Sequence, residues 1–287
     1  MNRPKTLVYF GAHPDDESSG AGSTLAQYAA AGAKVYYVCS TGGEMGTVDP
    51  KHLKDYETIK ELRAAELKCA AQVLGLACVF YLDYRDSGMQ GSVDNKHPDS
   101  LVMAPIEEVI ERAVKIIREI KPDVVITHDD SGGYGHPDHI ITHNAIVEAF
   151  YASGDLGQYP KAGKVFRPRK LYFLVYPRGM MELMVKLMPL FGQDPHHFGR
   201  NKDVDLIKLT SVKHTFNTVI RLKKESVDIR NKALACHESQ TSGRLRSLLF
   251  RILGIIEKIR GPRDHFVRAC PPPTNHQLET DLFEGLT

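Results

Sequence analysis

A cluster of ionisable side chains, Ala12-His13-Pro14-Asp15-Asp16-Glu17, is the first place in this sequence where chemistry can be read from residue types. Pro14 fixes its own backbone and disfavours helix at His13, which predicts a rigid loop. Crowding His13, Asp15 and Asp16 into that loop is costly through carboxylate repulsion and desolvation unless a cation is present. Histidine and aspartate are both good zinc ligands. A second cluster, Gly132-Gly133-Tyr134-Gly135-His136-Pro137-Asp138-His139, separates two histidines by one helical turn. Pro137 suits the first position of a helix, which puts His136 at the helix start and His139 one turn further on. The three glycines allow a tight turn and a close backbone approach to a ligand.

Together the clusters offer His13, Asp16 and His139 as three metal ligands with a fourth position open, the arrangement of a catalytic zinc site. Such a set also accepts Fe2+, Co2+ or Mn2+. Asp15 is left over and suits a general base beside a metal-activated water. His136 is left over as well. Protonated, it would stabilise an oxyanion and protonate a leaving amine, with Asp138 orienting it. Either cluster alone has a plain reading, a polar loop or a solvated helix start, and only their conjunction carries the chemistry. His143 follows His139 at helical spacing and is a rival ligand. His128, Asp129 and Asp130 read as structural or supporting groups. His196 and His197 lie in a polar loop without nearby carboxylates and read as solvated.

Elements must place these clusters. Strands are expected at Thr6 to Gly11, Lys34 to Ser40, Cys78 to Leu82, Asp123 to Thr127 and Lys170 to Tyr176. Helices are expected at Ser23 to Ala31, Tyr56 to Leu74, Pro105 to Ile120, His139 to Tyr151 and Val227 to Cys236. The alternation predicts an α/β fold, a Rossmann-like, mainly parallel sheet with helices on both faces, plus a smaller C-terminal α+β portion. Residues 1–165 would form the metal-binding core. Residues 166–287 would complete the same domain and its substrate site. Ligands of such sheets bind at the carboxyl ends of strands, and the clusters at His13 to Glu17, Gly42 to Glu44 and His128 to His139 all follow strands. Met180 to Phe191 reads as a core helix in preference to a mobile cover. Gly243 to Arg263 reads as a partly buried amphipathic helix in preference to a membrane-facing one.

The formal net charge of +2 is too near neutral to indicate a nucleic-acid partner. No stretch approaches the roughly 18 apolar residues of a membrane span, and the N-terminus lacks a signal-peptide pattern, so a cytoplasmic location is expected. A homo-oligomer is compatible with the sequence. The cysteines, Cys39, Cys69, Cys78, Cys236 and Cys270, are odd in number and form no CxxC pair, so buried reduced thiols are expected.

The two clusters resemble the signatures of the LmbE/PIG-L family of zinc-dependent N-deacetylases, and further segments extend the match over nearly the whole chain. Thr41-Gly42-Gly43-Glu44 follows a strand as in that family, and Arg63-Ala64-Ala65-Glu66 resembles its RxxE helix. Tyr84-Arg85-Asp86-Ser87-Gly88-Met89, His237-Glu238-Ser239-Gln240 and the stretch from Asp281 to Leu286 resemble the branch that holds the mycothiol-pathway deacetylase and the mycothiol S-conjugate amidase. The resemblance implies that His13, Asp16 and His139 bind zinc, that Asp15 is the base and His136 the acid or oxyanion stabiliser, and that Tyr134 assists at the oxyanion. It implies sugar or anion contacts for Arg63 and Asp86, with Gln240 lining the site. A structural ion pair is the competing role for Arg63 and Asp86, and a local turn cap for Gln240. The function implied is hydrolysis of the amide of an N-acylated amino sugar, foremost N-deacetylation of a small N-acetylglucosamine glycoside. Its nearest alternative is an amidase acting on a mycothiol-like thiol conjugate. A metallo-phosphoesterase would want more carboxylates and a second metal. A non-catalytic sugar-binding module would leave Asp15 and His136 without use.

Overall fold

Strands β1 (Thr6–Gly11), β2 (Lys34–Thr41), β3 (Cys78–Tyr84), β4 (Val124–His128), β5 (Lys170–Val175), β6 (Thr218–Arg221) and β7 (Arg263–Cys270) share one sheet in the order β3-β2-β1-β4-β5-β7-β6. The computed structural model describes residues 3–176, 178–197, 204–207, 215–241, 261–273 and 277–286. Pairing is parallel from β3 through β5. It is antiparallel where β7 joins β5 and β6. The sheet is therefore mixed and mostly parallel, as the alternating pattern requires.

The helices are α1 (Asp16–Ser19), α2 (Gly22–Ala30), α3 (Ile59–Leu74), α4 (Ile106–Ile120), α5 (Gly132–Gly135), α6 (Pro137–Ala152), α7 (Arg178–Leu187), α8 (Lys224–Cys236) and α9 (Glu238–Thr241). Helix α3 begins later than its apolar pattern suggests because Thr58 and Glu61 form a reciprocal cap. It ends at Gly75, which takes the left-handed conformation at φ 75.

Alternate residues of β1 point to opposite faces. Leu7 and Tyr9 pack with Leu25 of α2 and Leu67 of α3. Val8 and Phe10 pack with Val114 and Ile117 of α4 and Ile146 and Phe150 of α6. Helices thus cover both faces, and every residue of β1 and β4 is buried. Truncating a core side chain such as Ile117 to alanine would cost about 2–5 kcal/mol.

Strand order reverses between β1 and β4. Loops leaving their carboxyl ends diverge there and open the crevice that such sheets use for ligands.

The C-terminal part closes the sheet through Glu279. Its buried carboxylate accepts from Tyr172 Oη at 2.6 Å and Thr218 Oγ1 at 3.1 Å, and pairs with Lys170 and Arg268. The sequence pattern did not foresee β6 or β7. The segment Met180 to Phe191 is α7 followed by a short turn. It packs with Leu206 and Val204 in a small cluster of its own, apart from the two sheet-facing clusters. The amphipathic segment expected at Gly243 to Arg263 lies outside the described residues up to 260, and Arg263 itself begins β7. Among the described residues no helix is long and apolar enough to cross a membrane.

The expectation of five buried thiols is overturned. Cys69 of α3 and Cys236 of α8 form a disulfide with Cα atoms 5.8 Å apart. Cys78 is exposed, and only Cys39 is a buried free thiol. An odd count without a local motif hid a pair that two packed helices bring together.

Candidate active site

The chain leaving β1 turns around a single carboxylate. Asp16 Oδ2 accepts the backbone N–H of Ala12 at 2.8 Å and of His13 at 2.9 Å. Tyr37 Oη donates to the His13 carbonyl at 2.6 Å. Asp15, the residue before α1, sits at φ 150 and ψ −16. A non-glycine residue held there stores about 1–3 kcal/mol, which the surroundings must sustain.

His139 is placed by the start of α6. Pro137 occupies the first turn, and His136 caps the helix by accepting the Asp138 N–H on Nδ1 at 3.2 Å. The loop before it needs glycine. Gly132 has φ 66, and a Cβ there would come within 3.0 Å of the His139 Cβ.

These two constructions bring His13, Asp16 and His139 together. His13 Nδ1 lies 3.1 Å from His139 Nε2, and Asp16 Oδ2 lies 4.0 Å from the former and 3.5 Å from the latter. A tetrahedral ion with bonds of about 2.1 Å would set its ligands about 3.4 Å apart. The spacing, burial and chemistry of the three donors therefore fit a zinc-sized cation. The electrostatics point the same way. Burial would lower the His13 pKa, but Asp86 and Asp138 outweigh it and pull the imidazole well above its usual value. Positive charge is favoured at this point. Burial raises and the histidines His139 and His128 lower the Asp16 pKa, and the histidines win, so Asp16 stays ionised.

The remaining candidates divide. The Asp138 carboxylate lies 3.3 Å from His13 Nε2 and accepts the Ser87 N–H at 2.9 Å. It therefore steadies His13 and not His136, which corrects the expected pairing. Burial, and then His13, push the His136 pKa down to about 3. That direction favours a neutral ring over the protonated one expected. With Nδ1 accepting the cap hydrogen bond, a neutral His136 would carry its N–H on Nε2. His13 and His136 ring centroids are 4.5 Å apart, and the Tyr134 ring lies 5.0 Å from that of His139.

Arg63 is buried against the loop. It donates to the Pro14 carbonyl at 2.7 Å and the Gly43 carbonyl at 2.8 Å, and reaches Asp15 Oδ1 at 3.4 Å. Gly43 has φ 68, and any Cβ there would overlap the guanidinium. Asp86 lies 3.7 Å from His13 Nε2 and accepts the Gly88 N–H at 2.8 Å. Its pKa is lowered, because His13 outweighs the burial that would raise it. Gln240, half-buried, donates to Ser239 Oγ at 3.1 Å and lies beside Gly46.

His143 is not in the metal triangle, since its Nδ1 meets the His128 carbonyl at 2.8 Å. His128 stacks on His139 with centroids 3.9 Å apart and lies 3.4 Å from Asp16 Oδ2. Asp129 shapes the glycine loop by accepting the Gly133 N–H at 2.9 Å. His196 and His197 are exposed as expected, but they do have carboxylates, Asp205 at 3.3 Å and Asp194 at 2.7 Å.

Sequence reasoning missed the groups behind the loop. His237 Nε2 meets Glu17 Oε1 at 2.7 Å with both side chains fully buried. Ser239 donates from its backbone N and from Oγ to the two Glu66 oxygens, each at 2.8 Å. Glu17 and His237 each stood in a named segment, but nothing local in the sequence joins them.

A cleft of about 630 Å³ opens beside Glu44, whose carboxylate accepts the Asp86 N–H at 2.9 Å; Lys60, Arg85, His97 and Arg112 also line it. Another, about 450 Å³, lies between α3 and β3 and holds no histidine or carboxylate.

Residues 8–150 match the family model described as PIG-L: GlcNAc-PI de-N-acetylase. The chain is 33% identical to 1D-myo-inositol 2-acetamido-2-deoxy-alpha-D-glucopyranoside deacetylase 2 of Catenulispora acidiphila, over 99% of this chain and 98% of that one. Among solved structures, N,N'-diacetylchitobiose deacetylase from Pyrococcus horikoshii aligns with a TM-score of 0.64 at 20% identity, covering 94% of this chain and 88% of that chain. The 4-carboxy-2-hydroxymuconate hydratase of Pseudomonas putida aligns with a TM-score of 0.63 at 18% identity, covering 94% and 98%. The fold thus serves more than one reaction, and the reaction must be argued from the site.

Proposed function

The chain belongs to the PIG-L family of GlcNAc-PI de-N-acetylases, and from that premise we propose that it hydrolyses the acetamide of a small N-acetylglucosamine glycoside, releasing acetate and the free amino sugar. The observation that carries this reading is the buried triangle of His13, Asp16 and His139, which shares His13 with a second buried group of Asp86, His136 and Asp138, while Asp15 belongs to neither. The full-length relative acts, by its name, on an inositol-linked N-acetylglucosamine. The polar cleft lined by Glu44, which accepts the Asp86 N–H, suits such a hydroxyl-rich partner of the sugar.

When held by His13, Asp16 and His139, zinc supplies Lewis-acid activation of the amide carbonyl and of water. Asp15 accepts the proton of the attacking water and passes it to the departing nitrogen. Burial raises its pKa above that of an ordinary aspartate, with Arg63 pulling the other way, which makes Asp15 a stronger base. His136 donates its Nε2–H to the carbonyl oxygen as negative charge develops, and Tyr134 adds its hydroxyl. Asp86 and Gln240 contact the sugar. Arg63 serves mainly to fix the Asp15 loop.

The test is amine release from N-acetylglucosaminyl-inositol by the purified protein. Release that a chelator abolishes and added zinc restores is the expected result. Absence of release from protein carrying one zinc per chain would overturn the proposal.

A further inference from the structure

The base loop is gripped from behind by a segment more than 200 residues away. Where α8 ends, His237 reaches into the turn after β1 and meets Glu17 Oε1 at 2.7 Å, across a sequence separation of 220. Ser18 Oγ donates to the same Glu17 oxygen at 2.5 Å. Two residues further on, Ser239 binds both oxygens of Glu66. Glu66 stands three residues after Arg63 on α3, and Arg63 holds the other side of the same turn through Pro14 and Asp15. One short stretch, His237 to Ser239, is thus joined both to the loop that bears Asp15 and to the helix that bears the arginine facing Asp15.

A fully buried histidine–carboxylate pair is a poor way to gain stability, since desolvation offsets most of the attraction. It is an effective way to fix geometry. Asp15 needs such fixing, because its backbone at φ 150 would relax if its surroundings allowed.

We propose that His237 is a positioning residue for Asp15, acting through Glu17, with Ser239 and Glu66 setting the height of the arginine on the opposite side. This rests on the reading of Asp15 as the base. Glu17 is neither a proposed metal ligand nor a proposed substrate contact, so loosening the clamp is expected to misplace the base and spare binding.

The experiment compares His237→Ala, His237→Gln, Asp15→Asn and the double variant His237→Ala/Asp15→Asn by steady-state kinetics and metal analysis on the full chain. For His237→Ala we expect kcat to fall about 10²-fold, the scale of an ångström-sized misplacement, with KM and zinc content unchanged. His237→Gln, whose amide nitrogen can meet Glu17, should recover most of the rate. The double variant should be no slower than Asp15→Asn alone, because a clamp has nothing to position once the base is gone. Multiplicative losses in the double variant, or an unchanged kcat in His237→Ala beside an inactive Asp15→Asn, would overturn the proposal. An active Asp15→Asn would instead overturn the assignment of the base. Should His237→Ala fail to fold, Ser239→Ala, with the same cycle against Asp15→Asn, decides in the same way.

Discussion

His13 Nδ1 and His139 Nε2 face each other at 3.1 Å across a sequence separation of 126. Two ring nitrogens at that distance must share a proton or a cation, and Asp16 completes the set for a cation. Replacing Asp16 by alanine is expected to lower bound metal from one per chain to near zero. His143→Ala should keep it, because the His143 Nδ1 is already engaged by a carbonyl. Metal analysis after gel filtration distinguishes the two, and the reverse pattern would redraw the ligand set.

Asp15 is not one of the three residues of the triangle and is partnered by Arg63. Asp15→Asn should therefore retain metal and substrate affinity while turnover falls by roughly 10² to 10⁴, the range for a general base. Loss of metal in this variant would show that Asp15 is a ligand.

His136 does two things with two nitrogens. Nδ1 caps α6, and in the proposed reaction Nε2 would carry the proton offered to the oxyanion. Asparagine is a good helix cap, but its shorter side chain places no donor where Nε2 stands. His136→Asn should keep its melting temperature and lose about 10²- to 10³-fold in kcat. His136→Ala should lose the rate and also about 1 kcal/mol of stability. Equal rates for His136→Asn and the parent protein would remove His136 from the reaction.

The disulfide between Cys69 and Cys236 spans 167 residues and joins α3 to α8. Thiol titration in denaturant should find three reactive cysteines without reductant, namely Cys39, Cys78 and Cys270. Cys69→Ser should lower stability by about 2–4 kcal/mol, and reductant should have the same effect on the parent protein. Five titratable thiols without reductant would refute the bond.

Burial alone would lower the His237 pKa, but Glu17 more than reverses this, so the folded value lies above 6.5. A raised folded value means that folding favours the proton. The stabilisation is fully present below pH 6.5, the unfolded value, and is lost as pH rises through the folded one. Denaturant melts of the parent protein should weaken across that window. His237→Gln should not show this slope, and an identical slope in both would exclude the pair as its source.

The sequence made the parallel half of the sheet legible because each strand there is an apolar run. β1 occupies the residues its apolar pattern marks, with all of them buried. β7 gives no such sign. Only Phe266 is fully buried in it, and its other residues stay partly or fully exposed, although the strand is interior to the sheet. β6 has four residues, too few for a period to show. The metal triangle was legible because its ligands sit in two dense local clusters. The clamp was not, because the partnership of His237 with Glu17 is a product of α8 packing on α1 and α3. Reassigning Asp138 from His136 to His13 likewise required coordinates, since both histidines are equally plausible partners by spacing.

β7 lies between β5 and β6, so a strand made late in synthesis occupies an interior place in the sheet. Thr24 and Asp264, 240 residues apart, are hydrogen-bonded, as are Tyr28 and Asp281. On a ribosome, the nascent chain exposes every proposed metal ligand by residue 139, well before the strand that completes the sheet has been translated. A growing polypeptide could therefore capture metal early yet remain inactive, and catalysis would begin only when the last strand slots home.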